Sequence, residues 1–202
     1  MARITHLDEL RRIYGEPRER SRRKVLPALD RHCRRFIELS PFLALATFGA
    51  DGHADVSPRG DAPGFVRITD EGALLIPDRP GNNRLDNLTN LLANPAVGLL
   101  FVIPGFDETL RVNGTAAIHD DADLLDLFAV NERRPATVLR VGVSEAYIHC
   151  GKAMMRSRLW EPSAQTERAL LPSLGEIMRD QLSLETAESQ AEMVRRYRET
   201  LY

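Results

Sequence analysis

Apolar positions along the chain follow two rhythms. In roughly the first forty residues they recur at helical spacing. Thr5 is placed to cap a short helix through Tyr14, with Asp8 three residues on in a loose capping box, and Gly15 and Pro17 end it. Within 18–39, Val25, Leu26, Leu29, Cys33, Phe36 and Ile37 predict a second helical stretch, with Pro27 marking a helix start or a kink. Beyond Ser40-Pro41 the rhythm changes. The runs FLALATF (42–48) and HADVSP, joined by GADG, read as a hairpin. FVRIT (65–69) and ALLIP (73–77) read as a second, and AVGLLFVI (96–103) with TLRVNGTAAIH (109–119) as a third. VLRVGV and EAYIHC, within 138–150, add further strands. Leu85, Leu88, Leu91 and Leu92 predict a helix over 83–93, ended by Asn94-Pro95, and another is expected over 122–130. After Trp160 the chain turns polar and helical again, over 166–171, 174–182 and 185–202.

Six or more short strands joined by hairpins imply antiparallel pairing, and closure into a barrel would remove exposed edges. The strands do not alternate with long helices, which disfavours a doubly wound parallel sheet. The expectation is a mainly β fold with flanking helices in one domain over 1–202: a helical N-terminal extension (1–40), a barrel core (41–160) and a helical C-terminal extension (161–202). At 202 residues, 43% hydrophobic and 28% charged, the chain suits a folded core that needs neither disulfides nor metal. No run approaches a membrane span, and the charged opening lacks the apolar core of a secretory signal, so a cytoplasmic protein without membrane contact is expected. A net charge of −2 creates no field for nucleic acid, and the basic run at 18–24 reads as a solvated helix face. Cys33 and Cys150 stand far apart, and the five histidines form no HExxH pair, so no metal site is expected.

Three segments hold the candidate chemistry. In DVSPRGDAPG (55–64), two prolines stiffen a loop that presents Ser57, Arg59 and Asp61, while Gly60 and Gly64 permit unusual dihedrals. Such a loop suits an anion, because guanidinium pairs with phosphate oxygens; an internal Arg–Asp pair is the alternative. In PDRPGNNRLDN (77–87), Asn82 or Asn83 is the expected N-cap of a helix whose start, with Arg79 and Arg84, would attract phosphate. A helix cap with solvated arginines is the alternative. The segment matches neither GxxxxGK[ST] nor GxGxxG. In HCGKAMMRSRLW (149–160), Trp160 reads first as a packing residue; the alternative is that, beside Lys152, Arg156 and Arg158, it flanks a planar, charged ligand. His149 and Cys150, adjacent on a strand, point to opposite faces and make a poor nucleophile pair.

In this order, DVSPRGDAPGF (55–65), LLIPDRPGNNRLDNLTNLLANPAVGLLFVIPG (74–105), ETLRVNGTA (108–116) and HCGKAMMRSRLW resemble the FMN-binding split-barrel proteins of the pyridoxamine 5′-phosphate oxidase superfamily, in particular an uncharacterised bacterial branch of FMN-dependent type. The resemblance implies a six-stranded antiparallel split β-barrel that forms a homodimer, with FMN at the subunit interface. It places Ser57, Arg59, Gly60 and Asp61 on the strand segment that lines the flavin. Asn83, Arg84 and Asn87 fall at the phosphate-binding loop and helix start. Lys152, Arg156, Arg158 and Trp160 fall in a C-terminal segment that the partner chain often contributes. Two departures argue against true pyridoxamine phosphate oxidase activity. An Arg-Leu-His-Asp-Arg type segment is replaced by Arg156-Ser-Arg-Leu-Trp160, and the serine-arginine-lysine phosphate signature by Asn83-Arg84-Leu85-Asp86-Asn87. The implied function is an FMN-dependent oxidoreductase whose small-molecule substrate, electron donor and catalytic side chains the sequence does not name. The alternatives are a non-catalytic flavin storage or sensor protein, or a split barrel binding haem through His149 or His119, or the deazaflavin F420.

Overall fold

The computed structural model describes residues 3–202, so the first two residues of the expected N-terminal extension, and of its charged opening, lie outside the described residues. Three short helices come first: α1 (Leu7–Tyr14), α2 (Glu19–Arg23) and α3 (Arg31–Leu39). The N-cap of α1 is His6 rather than Thr5, whose backbone N–H donates to Glu9 Oε2 at 3.3 Å instead. The helical stretch expected over 18–39 is interrupted. Leu26 exchanges two backbone hydrogen bonds of 2.9 Å with Ala146, taking the chain into an extended segment around Pro27. Asp30 then restarts the helix by accepting the N–H groups of His32 and Cys33.

Seven strands follow: β1 (Phe42–Phe48), β2 (Ala54–Gly60), β3 (Arg67–Ile68), β4 (Leu74–Asp78), β5 (Ala96–Val102), β6 (Thr109–His119) and β7 (Thr137–His149). All pairings are antiparallel, in the order β2-β1-β5-β6-β7-β4-β3, as one sheet that does not close. The count is seven rather than six because two-residue β3 pairs with β4. The strands expected separately at VLRVGV and EAYIHC are one continuous β7. The long β6–β7 ribbon ties two halves together: β5, β1 and β2 build on residues 109–115 of β6, while β4 and β3 build on residues 137–141 of β7.

Between the halves lies a bulge, where Asn113 faces Glu145 but Gly114 faces Val143, leaving Ser144 as the extra residue. Its hydroxyl donates to the Asn113 carbonyl at 3.0 Å. A Cβ on Gly114 would collide with the Gly142 carbonyl. Gly114→Ala is therefore expected to destabilise the protein by about 1–3 kcal/mol, read as a lower urea midpoint. An unchanged midpoint would mean that the strands do not approach so closely.

The inner face of the sheet carries Leu43, Leu45, Leu99, Phe101, Leu110 and Val112, packed against Cys33, Phe36 and Ile37 of α3. The helix α4 (Asp86–Ala93) adds Leu91. Helix α5 (Ala122–Asp126), shorter than the expected 122–130, packs Leu124 and Leu125 on a second cluster of Leu75, Phe128 and Val138. Helix α6 (Lys152–Ser157) has no counterpart in the hydrophobic pattern. Of the C-terminal helices, the one expected over 166–171 is only a 3₁₀ turn at Arg168–Leu170, α7 (Leu174–Leu182) forms as expected, and α8 spans Gln190–Glu199. Ser173 and Ser189 start α7 and α8 with capping boxes. Among the described residues, no helix is long and apolar enough to cross a membrane.

Candidate functional site

β2 and β4 are separated by four strands, so in a flat sheet they would stand about 24 Å apart at five spacings of about 4.8 Å. Yet Arg59 of β2 pairs with Asp78 of β4. The sheet thus curls until side chains, rather than backbone hydrogen bonds, bridge its open seam. The polar residues facing that seam form two groups, one around Ser57, Arg59 and Asp78 and one around Asp61 and Arg79.

The inward side of β2 supplies Asp55, Ser57 and Arg59, and the outward side supplies Val56, Pro58 and Gly60. The Ser57 hydroxyl donates to Asn87 Oδ1, and Arg59 Nε donates to Ser57 Oγ at 3.3 Å. Asn87, in the first turn of α4, is buried and donates from Nδ2 to Thr47 Oγ1 at 2.9 Å. Asn90 donates to the same hydroxyl at 3.1 Å. Buried amides and hydroxyls persist only when bonded in this way. One residue beyond Gly60, Asp61 accepts from Arg79 Nε at 2.8 Å, from its neighbour Ala62 N–H at 2.7 Å and from the Tyr202 hydroxyl at 2.6 Å. Arg79 also donates to the Phe128 carbonyl at 2.8 Å and lies 5.3 Å from the Tyr202 ring centre. Burial pushes the Asp61 carboxyl up, but the Tyr202 hydroxyl, the Ala62 N–H and the Arg79 guanidinium outweigh it and hold the pKa below the usual range. The same hydrogen bond raises that of Tyr202.

The loop into α4 corrects one expectation. Neither Asn82 nor Asn83 caps the helix. Asn82 Oδ1 is occupied by the Arg84 N–H at 3.1 Å, and Asn83 takes a left-handed conformation. The N-cap is Leu85, itself left-handed and without a side-chain cap, so among the described residues no side chain satisfies the first-turn N–H groups. The Arg84 side chain is 71% exposed and rests on Asp86, with Nε to Oδ2 at 2.8 Å.

The third segment stands apart. Gly60, Phe42, Val102, Thr109 and His149 form one cross-strand row, so α6, which follows His149, starts four strands away from β2. Trp160 Nε1 donates to the Phe106 carbonyl at 2.8 Å, and Arg158 Nε to Glu161 at 2.7 Å. Lys152 and Arg156 are exposed. Within one chain, Ser57, Arg59 and Asn87 therefore converge, Asp61 is held separately by Arg79 and Tyr202, Asn83 and Arg84 lie on the exposed loop before α4, and Lys152, Arg156, Arg158 and Trp160 do not reach them.

A second polar cluster lies on the outer face of β6 and β7. Arg111 and Lys24 sit 4.5 and 4.6 Å from the Tyr147 ring centre, with the His149 ring at 4.7 Å. Burial, then the charges of Lys24 and Arg111, lower the His149 pKa below that of an ordinary imidazole. Among the described residues no cluster of His, Cys, Asp and Glu is placed to hold a metal ion.

The residues that the motifs did not single out are Thr47, Asp78, Asn90 and Tyr202. Thr47 had a signal, since it follows Leu43 and Leu45 on the inward side of β1. Tyr202, 141 residues from Asp61, had none.

A model of the family described as pyridoxamine 5′-phosphate oxidase matches residues 29–150, which run through the whole sheet and stop before α6. No curated protein sequence matches the chain. Solved structures similar to it include HupZ of Group A Streptococcus, at 18% identity over 59% of this chain and 93% of that one, with a TM-score of 0.48. General Stress Protein 26 of Bacillus anthracis is 18% identical over 58% and 93%, with a TM-score of 0.42. HutZ, a haem storage protein from Vibrio cholerae, is 15% identical over 60% and 94%, with a TM-score of 0.40.

Proposed function

The chain belongs to the pyridoxamine 5′-phosphate oxidase family, and from that premise we propose that it is an FMN-dependent oxidoreductase built on a split barrel. The observation that carries this reading is the uncapped start of α4 beside Ser57 and Asn87. Its free first-turn N–H groups and the exposed Arg84 are the donor set a phosphate monoester needs. Asn83 flanks that position on the loop. Ser57, Arg59 and Asp61 would hold the flavin through polar contacts and Gly60 through its backbone. Asp78 and Arg79 hold Arg59 and Asp61 in place, so the seam is organised before the ligand arrives. Bound FMN supplies two-electron chemistry at its ring. The chain's own residues anchor the phosphate, orient the ring and shield it from water, and no side chain is required as a nucleophile.

A homodimer with flavin at the subunit interface completes the proposal. The outer face of β2, β1 and β5 leaves Val56, Phe42 and Phe48 exposed, with Pro58, Ala44, Ala46 and Leu100 on the same side. An apolar face of this kind marks an interaction surface. In that pair the segment Lys152, Arg156, Arg158 and Trp160, which does not reach the seam of its own chain, would serve the partner's flavin.

The test is the visible spectrum of the purified protein, with chromatography of the released chromophore. A yellow protein releasing FMN supports the reading. A Soret band would point to haem instead, and a colourless protein that takes up no FMN would remove the cofactor. Reduction and reoxidation of bound flavin faster than free FMN separates an enzyme from a storage or sensor protein. Arg84→Ala removes a charged hydrogen bond worth about 1.5–3 kcal/mol, so FMN should bind roughly 10- to 100-fold more weakly by fluorescence titration. Unchanged affinity would take Arg84 out of the phosphate site.

A further inference from the structure

Helix α1 buries none of its eight residues. Along one side Leu7, Leu10 and Tyr14 stand 64%, 41% and 79% exposed. Their i, i+3, i+7 spacing sets the three side chains in a single row. A helix this short gains too little from its own hydrogen bonds to hold in water, so its stability comes from whatever packs on that row. The surrounding segment is also basic. Between residues 3 and 24, eight basic side chains outnumber four acidic ones.

A groove of the opposite charge opens where α7 begins. It encloses about 500 Å³ and is lined by Leu170, Leu171 and Pro172 with Arg168, Glu176 and Gln190. Leu170 and Leu171 are 74% and 63% exposed, and Leu174, Met178 and Leu182 carry the exposed apolar wall on along α7. The groove is built in advance. Arg168 donates to the carbonyls of Leu171 and Pro172 at 2.6 and 3.1 Å and to Gln190 Oε1 at 3.3 Å, which ties its floor to the start of α8. The stretch that forms it, residues 167–192, carries six acidic side chains and two basic ones. Segment and groove thus match twice, apolar against apolar and basic against acidic.

We propose that α1 of one copy lies in the α7 groove of a second copy of this chain, with Leu7, Leu10 and Tyr14 as its anchors. Helices that dock in apolar grooves present anchors at this spacing. The groove of the same chain is not the cover, because α1 stays exposed there. An anionic lipid surface fits less well: it would meet Asp8 and Glu9 within α1 itself and leave the acidic groove open. The exchange is reciprocal, so a pair of copies makes the contact twice. It requires neither flavin nor pairing through the outer face of the sheet.

The experiment is amide hydrogen exchange of the full-length protein, read by mass spectrometry at low and high protein concentration. Exchange in α1 and at the start of α7 is expected to slow together, by about tenfold or more, as concentration rises. Leu7→Glu with Leu10→Glu should abolish the protection of both segments, and so should Leu171→Glu. All three side chains are exposed, and protection of the β6–β7 ribbon reports that each variant is folded. Mixing the two variants is the decisive step. The intact α1 of the groove variant should then be protected by the intact groove of the α1 variant, while the two altered segments stay open. Protection that does not depend on concentration, or that mixing fails to restore, means that α1 is covered by its own chain and overturns the proposal. Free exchange of α1 at every concentration overturns it as well, as pairing through the sheet face alone would give. Protection of α1 only on added vesicles of anionic lipid, with the groove left open, replaces the second copy by a membrane surface.

Discussion

Asp78→Ala is expected to cost about 3–5 kcal/mol of folding stability, because it strands the Arg59 guanidinium at the seam with its charge unmatched. Both side chains are largely buried, at 17% and 15% exposure, so solvent screens the pair weakly. Arg59 would keep only its contact to the Ser57 hydroxyl. The pair itself need not add net stability, since desolvating two charges offsets much of their attraction. The double variant Arg59→Met with Asp78→Leu should therefore recover most of what Asp78→Ala loses. Urea midpoints of the three variants test this. A small loss in Asp78→Ala would show that water reaches the seam and that Arg59 is not held as described. On the proposed flavin reading, FMN affinity should also fall in Asp78→Ala, since Arg59 loses the partner that positions it.

Phe101→Ala is expected to lose a similar amount, about 3–5 kcal/mol, by a different route. Phe101 is fully buried at the centre of the inner face. It lies in one cross-strand row with Arg59, Leu43, Leu110 and Ile148. Removing the ring takes away apolar burial and leaves a cavity that neighbours on both sides cannot refill without moving the strands. In a chain of this size the melting temperature should drop by about 10 °C or more. Phe101→Leu, which fills most of the volume, should lose much less. The two effects separate in their readouts. Phe101→Ala lowers stability with FMN affinity changed little in the protein that remains folded, whereas Asp78→Ala lowers both. Similar melting of Phe101→Ala and wild type would mean that this row is not the packed centre.

The hairpins were legible because each pairs neighbours in sequence across a short turn carrying Gly or Pro, and because β1 and β5 alternate apolar residues on one side. The break at Leu26 was not, since it depends on a backbone partner, Ala146, 120 residues away in the chain. The continuity of β7 was hidden for a related reason: Ser144 separates the two expected strands, and it is the extra residue of the bulge opposite Asn113. Helix α6 follows a strand end and buries none of its residues, so no apolar stripe announced it. In the candidate site, Ser57, Arg59, Asp61 and Asn87 were visible as polar residues in stiff segments. That Arg59 meets Asp78 across the seam was not visible, because it follows from the curl of the whole sheet.

The sheet's two free margins carry a consequence for how molecules of this protein meet. Pro58 sits mid-strand in β2 and supplies no N–H, so an incoming strand would find a gap in its ladder there. The other margin, β3, is two residues long and too short to template an addition. Both margins thus resist strand-by-strand growth into fibrils. On the proposed dimer, that protection would leave the broad apolar face as the surface through which two copies close on each other.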